Sequence, residues 1–311
     1  MKAIFLTEPG DPRAAYEIKD YHQVAEKHVH INMLMAPINP ADINVLEGTY
    51  PMTPGPGGII GNEGVGILED KPSGYVILPN YQGCWSEKIL VPSDRIIHIP
   101  NTIPLEVAAS FSVNPLTALT IIDLFAVPLG GIVAVNAANS MVARVMASIA
   151  KARDIQLYGF VRRLELVDEL IEAGFTGIFE DSDTSLKEAR SIIPKCDLVL
   201  NQVGGKSSGR IAKLLKPYGK HVTIGAMSRE PLQASNALLI FKQISYHGLW
   251  ISKWLQTQSQ QEIQRKVNEL IKIYKEFPWL LPDAEVFAFK DFDTALNMAI
   301  NGKKKVFLDF E

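Results

Sequence analysis

Ile132-Val-Ala-Val-Asn136, then Ala137-Ala-Asn-Ser140, a helical run from Met141, Ile155-Gln-Leu-Tyr-Gly-Phe-Val161 and Arg162-Arg163: this stretch, Gly131 to Arg163, decides the fold. It reads as strand, tight turn, helix, strand. The first strand is short, apolar and β-branched, as a strand buried on both faces should be. The helix places Val142, Val145, Met146 and Ile149 at i, i+3, i+4 and i+7, one apolar stripe. A βαβ unit of about 30 residues seats a dinucleotide, with the turn amides and the positive end of the helix aimed at a pyrophosphate. An NAD site carries Asp or Glu at the end of the second strand for the ribose 2′-hydroxyl. Arg162 and Arg163 stand there instead, and a guanidinium suits the 2′-phosphate of NADP. Two arginines after a strand also read as ordinary solvated loop charge. The turn departs from G-x-G-x-x-G, with Ala138, Ser140 and Ala143 in place of glycine. They are small enough for close backbone approach, but a left-handed φ becomes costly.

The 311 residues are 47% hydrophobic and 21% charged, an ordinary soluble composition near the length where one core gives way to two domains. A net charge of −3 gives no basic footprint for nucleic acid and no bias toward a membrane surface. Cys84 and Cys196 are far apart and read as free thiols of a reducing compartment, the cytoplasm. After Lys2 the only apolar run before Glu8 is Ala-Ile-Phe-Leu, too short for a signal peptide or a membrane span.

Residues 1 to about 112 are β-rich and turn-rich. Strands are expected over Ala3–Leu6, His28–Met35, Tyr75–Pro79 and Trp85–Val91. Glycines and prolines crowd Pro51 to Gly66 with apolar residues threaded through them, which marks loops and bulges in a compact β domain. From about 113 to 255 strand and helix alternate. Helices are expected over 164–172, around Leu186, Ala189 and Ile193, and over 207–216, with Pro217 and Gly219 as the stop. Strands are expected at Gly177–Phe179, Asp197–Gln202, Lys220–Gly225 and Ile244–Ile251. This pattern predicts a doubly wound parallel sheet. A long amphipathic helix carrying Ile263, Val267, Leu270, Ile271, Tyr274 and Phe277 follows. A strand near Val286, a helix through Phe292, Ala295, Leu296 and Ala299, and a strand over Lys305–Phe310 end the chain. This tail can complete the first domain, with the nucleotide domain inserted into it.

Four stretches together resemble the medium-chain dehydrogenase/reductase superfamily, in particular its zinc-independent trans-2-enoyl thioester reductases of the mitochondrial enoyl-acyl-carrier-protein type. They are Asn201–Ser228, residues 38–51 (Ile-Asn-Pro-Ala-Asp-Ile-Asn and Glu-Gly-Thr-Tyr-Pro), Gly61-Asn-Glu-Gly-Val-Gly66 and Ser112-Val-Asn-Pro-Leu-Thr-Ala118. The resemblance covers nearly the whole chain. It implies a GroES-like irregular β domain (1–112 and 256–311) and a Rossmann domain (113–255). Zinc members carry Gly-His-Glu where this chain has Gly61-Asn62-Glu63. An amide is a poor zinc ligand, and a four-cysteine lobe is impossible with two cysteines, so no metal is expected.

The resemblance implies NADPH-dependent reduction of the α,β double bond of 2-enoyl-CoA or 2-enoyl-acyl-carrier-protein. Tyr50, in the Gly-x-Tyr-Pro segment, is the implied donor. It also reads as a loop aromatic packed on its domain. Implied cofactor contacts are Asn114 beside the nicotinamide; Asn139, Ser140, Met141 and Val142 at the pyrophosphate; Arg162 and Arg163 at the 2′-phosphate; Gly225, Ala226 and Met227; Leu249, Trp250 and Ile251 in the strand beyond; and Lys305. Met227 and Trp250 also read as core residues. The family commonly has Gly where Met141 and Ala143 stand, and Arg-x-Arg where this chain has Arg162-Arg163-Leu164. A longer side chain at Met141 would crowd the pyrophosphate. Family members commonly pair through late strands, read here at Ala237–Ile251, so a homodimer is expected. A quinone or enone reductase on the same scaffold is the alternative enzyme, and a catalytically silent binding protein the alternative of another class.

Overall fold

The computed structural model describes residues 1–22, 28–79, 83–302 and 304–311. In chain order its strands are β1 (Lys2–Leu6), β2 (Tyr16–Asp20), β3 (His28–Ile38), β4 (Val65–Leu68), β5 (Tyr75–Ile77), β6 (Lys88–Pro92), β7 (Ile97–Ile99), β8 (Ile132–Asn136), β9 (Gln156–Val161), β10 (Gly177–Glu180), β11 (Cys196–Asn201), β12 (Leu215–Thr223), β13 (Ser245–Gly248), β14 (Ala284–Ala288) and β15 (Lys305–Asp309). The helices are α1 (Pro40–Glu47), α2 (Leu105–Ala109), α3 (Asn114–Leu124), α4 (Met141–Ala152), α5 (Val167–Ala173), α6 (Asp183–Ile192), α7 (Gly205–Ala212), α8 (Asn236–Lys242), α9 (Ile251–Leu255), α10 (Gln260–Glu276) and α11 (Phe292–Asn301). Two compact units result. The first holds Met1–Leu116, Leu255–Asn268 and Leu281–Glu311; the second holds Thr117–Trp254 and Glu269–Leu280. Among the described residues no helix is long and apolar enough to cross a membrane.

The first unit is built on a seven-stranded sheet ordered β14-β15-β3-β4-β5-β7, with β6 also on β3, and a β1-β2 hairpin beside it. Only β14 and β15 run parallel. The glycine- and proline-rich run is tied to the hairpin: the Leu6 amide donates to the Gly58 carbonyl and the Ile60 amide to that of Ile4. Gly61 shows why the run needs glycine. Its φ is +105°, and a Cβ there would stand 2.5 Å from the Trp85 ring. Trp85 is fully buried, and its indole N–H donates to the Pro37 carbonyl at 3.1 Å. Ile4, Leu6, Ile31, Leu46, Phe292 and Leu308 pack in the same core. The strand expected from Trp85 starts only at Lys88. Helix α1, unread in the sequence, has Pro40 at its first position and Gly48 as a left-handed C-cap.

The second unit carries a six-stranded sheet ordered β10-β9-β8-β11-β12-β13, every pairing parallel. This is the doubly wound arrangement. The chain starts at β8, builds β9 and β10 to one side, and returns to build β11, β12 and β13 on the other. Helix α4 is buried at every position from Met141 to Ala150, so it is covered on all faces and not along one stripe.

Two further expectations need correction in the second unit. Helix α7 ends at Ala212, and β12 already begins at Leu215. Pro217 therefore lies inside a strand, where the β11–β12 register jumps from Cys196↔Leu215 to Leu198↔Lys220. The jump leaves Pro217 unpaired, so its missing N–H costs no ladder bond. The second correction is at Ala237–Ile251. Asn236–Lys242 is helical, capped by Ser235, whose side chain accepts from the Leu238 amide, and only Ser245–Gly248 is strand. An apolar run this short does not distinguish the two periods, and the cap decides it.

Candidate functional site

The sequence-predicted residues fall into two constellations, one in each unit. In the second unit, β8 ends at the switch point of the sheet, where a ligand crevice forms outside the carboxyl ends of the strands. The turn that follows is set by buried polar side chains. Asn136 donates through Nδ2 to Asn201 Oδ1 at 2.9 Å and to Ser207 Oγ at 2.8 Å, and its Oδ1 accepts from the Gln202 amide at 2.7 Å. The left-handed position is Ala137, with φ 49°, and not one of the three that replace glycine in the fingerprint. Ser140, with φ −68°, serves as the N-cap of α4, and its hydroxyl accepts from the Ala143 amide. Glycine is unnecessary there.

With Ala143 capped and the Arg144 amide bonded to the Ser140 carbonyl, the amides of Met141 and Val142 precede the first intrahelical bond. They are the groups a pyrophosphate takes at a helix N-terminus. Met141 is only 7% exposed. Asn139 is exposed and its carbonyl accepts from Arg144 Nε at 3.1 Å. Arg162 and Arg163 are both exposed directly after β9, and no carboxylate among the described residues pairs with either.

Gly225, Ala226 and Met227 follow β12. The Ile224 amide donates to the Asn201 carbonyl, and the Met227 amide to that of Gln202 at 3.1 Å. A Cβ on Gly225 would stand 2.8 Å from that same Gln202 oxygen, so the close approach requires glycine. Met227 is 59% and Trp250 36% exposed, which removes the core reading for both. Leu249 and Trp250 come just after β13 and Ile251 opens α9, so none of the three lies in the strand where the sequence put them. The Leu249 amide is nevertheless held by the Thr223 carbonyl at the same strand ends. Turn, exposed guanidinium groups and close glycine together suit a dinucleotide diphosphate bearing a further phosphate.

In the first unit, Tyr50 sits two residues beyond the Gly48 cap. Its amide donates to the Asn44 carbonyl at 3.1 Å, and its half-buried ring packs on the core. Lys305 and the neighbourhood of Asn114 belong to one buried polar cluster. Lys305 Nζ donates to Asn39 Oδ1, and Asn39 Nδ2 donates to Glu63 Oε1 at 2.7 Å. Glu63 Oε2 accepts from the Val113 amide at 2.9 Å, immediately before Asn114 at the start of α3. Asp42 accepts from the Asn39 amide at 2.8 Å and from both the backbone and side-chain nitrogens of Asn62, at 2.9 and 2.7 Å. Burial pushes Glu63 up to about 7 and Asp42 up to about 6, with Lys305 pulling both back. Burial lowers Lys305 in turn. The Asn62 side chain is thus a donor to Asp42. Among the described residues no three His, Cys, Asp or Glu side chains are grouped to hold a metal ion.

Sequence reasoning missed Asn136, Asn201, Gln202, Asn39 and Asp42. A signal exists for the first three: a polar residue closing an otherwise apolar strand, as in Ile-Val-Ala-Val-Asn and Leu-Val-Leu-Asn-Gln. Asn39 and Asp42 flank Pro40 as a helix start does.

A doubly wound sheet with a capped turn at its switch point, in one chain with an irregular β unit, is the architecture of the medium-chain dehydrogenases and reductases. No protein-family model matches the chain. It is 32% identical over 319 residues to the mitochondrial enoyl-acyl-carrier-protein reductase of Mus musculus, covering 96% of this chain and 86% of that protein. Among solved structures, the Etr1p/NADP/crotonyl-CoA complex superposes with a TM-score of 0.88 at 23% identity, covering 99% of each chain. A putative NADPH:quinone reductase from Bacillus thuringiensis gives the same TM-score at 23% identity, covering 99% of this chain and 98% of that one. The chain belongs to the medium-chain dehydrogenase/reductase superfamily, in its enoyl thioester reductase branch.

Proposed function

We infer that the protein reduces the α,β double bond of 2-enoyl thioesters with NADPH. The observation that carries this reading is a chain-long relationship to an enoyl-acyl-carrier-protein reductase. The bound nicotinamide supplies the hydride that adds to Cβ. Tyr50 donates to the thioester oxygen or to Cα as negative charge builds there. Met141 and Val142 present amides to the pyrophosphate, with Asn139 and Ser140 shaping the turn, and Arg162 and Arg163 pair with the 2′-phosphate. Gly225, Ala226 and Met227, with Leu249, Trp250 and Ile251, line the strand ends along the cofactor. Asn114 holds the nicotinamide end. Lys305 acts through the Asn39–Glu63 cluster that ends beside Asn114. The substrate is carried on CoA or acyl-carrier protein. The protein works as a homodimer and needs no zinc. Two free, buried cysteines support a reducing compartment, the cytoplasm in this reading.

NADPH titration followed by turnover assays tests the proposal. The expected result is saturable NADPH binding and NADPH consumption with crotonyl-CoA but not with a simple quinone. Turnover of the quinone alone identifies an enone or quinone reductase. NADPH binding with neither turnover identifies a silent binding protein.

A further inference from the structure

We propose that Gln202 is a positioning residue that locks the pyrophosphate turn and the Gly225–Met227 loop into one preorganised surface. The proposal rests on the NADPH reading and goes beyond it, because Gln202 itself touches no expected ligand atom. Gln202 is 3% exposed and every polar atom it has is engaged. Its side-chain Nε2 donates to the Asn136 carbonyl at 2.9 Å and to the Ala137 carbonyl at 3.4 Å. Its Oε1 accepts from Ser140 Oγ at 2.9 Å. Its backbone amide donates to Asn136 Oδ1 at 2.7 Å, and its carbonyl accepts from the Met227 amide at 3.1 Å. One side chain thus spans the turn from its first residue to the N-cap, and the same residue's backbone holds the second loop.

The chemistry explains what a turn without its glycines needs. Ala137 adopts φ 49°, a left-handed conformation that is costly for a residue with a Cβ and would relax unless held. The Gln202 amide supplies two donors to the strained segment's carbonyls. The Ser140 hydroxyl uses its one proton on Gln202 and so keeps a lone pair aimed at the Ala143 amide. That leaves the Met141 and Val142 amides unengaged and fixed in direction. Preorganised donors bind an anion without paying to order themselves first.

The test is Gln202→Met, which keeps volume and removes the side-chain hydrogen bonds. Dissociation constants for NADPH and NADH, read by nucleotide fluorescence, are both expected to rise about ten-fold, the net worth of one or two hydrogen bonds. Their ratio stays constant, because both nucleotides share the pyrophosphate. In the unliganded protein, amide hydrogen exchange is expected to accelerate in 137–143, where the side-chain bonds are lost, and with it in 225–228, whose Met227 amide is held by the backbone carbonyl of the same loosened residue, while β9 and β10 keep their protection. Should Gln202→Met fail to fold, Gln202→Asn retains the amide but not the reach, and the same changes are expected. Unchanged affinity and unchanged exchange in a folded variant overturn the proposal, as does a change in exchange confined to one segment. If the wild type binds neither nucleotide, the NADPH reading fails, and the exchange measurement still decides whether Gln202 couples the two segments.

Discussion

Hydride addition at Cβ drives negative charge onto the thioester oxygen and Cα, and a donor aimed there stabilises the transition state more than the ground state. Tyr50→Phe keeps the ring that packs on the first unit's core and removes only the hydroxyl. It is expected to lower kcat with crotonyl-CoA by about one to three orders of magnitude and to leave NADPH affinity within a few-fold. Full kcat would take the donor role from Tyr50, and an equal loss of NADPH binding would make it a cofactor or structural residue. The two arginines after β9 carry the second residue-level expectation. Both are exposed and free of carboxylate partners among the described residues, so removing them leaves no orphaned charge. The Arg162→Ala/Arg163→Ala double variant should raise the NADPH dissociation constant and leave that of NADH nearly unchanged. Wild-type binding of NADH as tight as that of NADPH would refute the 2′-phosphate assignment.

At the scale of elements, the polar cluster joining α1, Asn62 and Glu63, the Val113 amide ahead of α3, and β15 gives the first unit a pH-dependent stability. Burial raises Glu63 from 4.5 to about 7 and Asp42 from 3.8 to about 6. Between those limits the native state holds protons that the unfolded chain has released. The associated stability is complete below about pH 4 and is lost as pH rises through 7. Lys305, lowered by burial, acts in the opposite sense at higher pH. Thermal melts from pH 4.5 to 7.5 should show the melting temperature falling with pH, with a shallower fall in Glu63→Gln. Parallel curves for the two proteins would exclude Glu63 as the source. This cluster also marks the limit of the sequence reading. The βαβ core was legible because β8, α4 and β9 carry their period in apolar residues, and Arg162 and Arg163 because they interrupt it. Asn39 and Asp42 meet locally at the start of α1, but Glu63 and Lys305 reach them only through tertiary contacts across as many as 266 residues, which no local period reports. Helix α8 reads as strand in the sequence because its five-residue apolar run, Ala237–Phe241, is compatible with both periods, and only the Ser235 cap decides for helix. The inner turn was half legible: its small residues stood out, but the side chain that holds them arrives from β11.

For the whole molecule, the sheet order leaves β13 as a terminal strand whose only partner among the described residues is β12. An unpaired edge of four residues is short, but α8 in the same unit carries Ile240 at 64% and Phe241 at 82% exposure. Large apolar side chains this exposed are expensive to leave in water, and an edge plus an apolar helix offers a self-complementary surface. A two-fold pairing of such a surface closes on itself, which favours a dimer over a filament. Light scattering at micromolar concentration should return twice the mass of the chain. Elemental analysis of that dimer should find no stoichiometric zinc, and a chelator should leave its activity intact, because Asn62 spends its amide on Asp42. Phe241→Glu places a charge that pairing would have to bury, at a position that costs the single chain nothing. It should shift the molecule to monomer while leaving the melting behaviour of the isolated chain unchanged. A wild type that scatters as a monomer, or a Phe241→Glu variant that remains fully dimeric, would place any pairing surface elsewhere on the molecule.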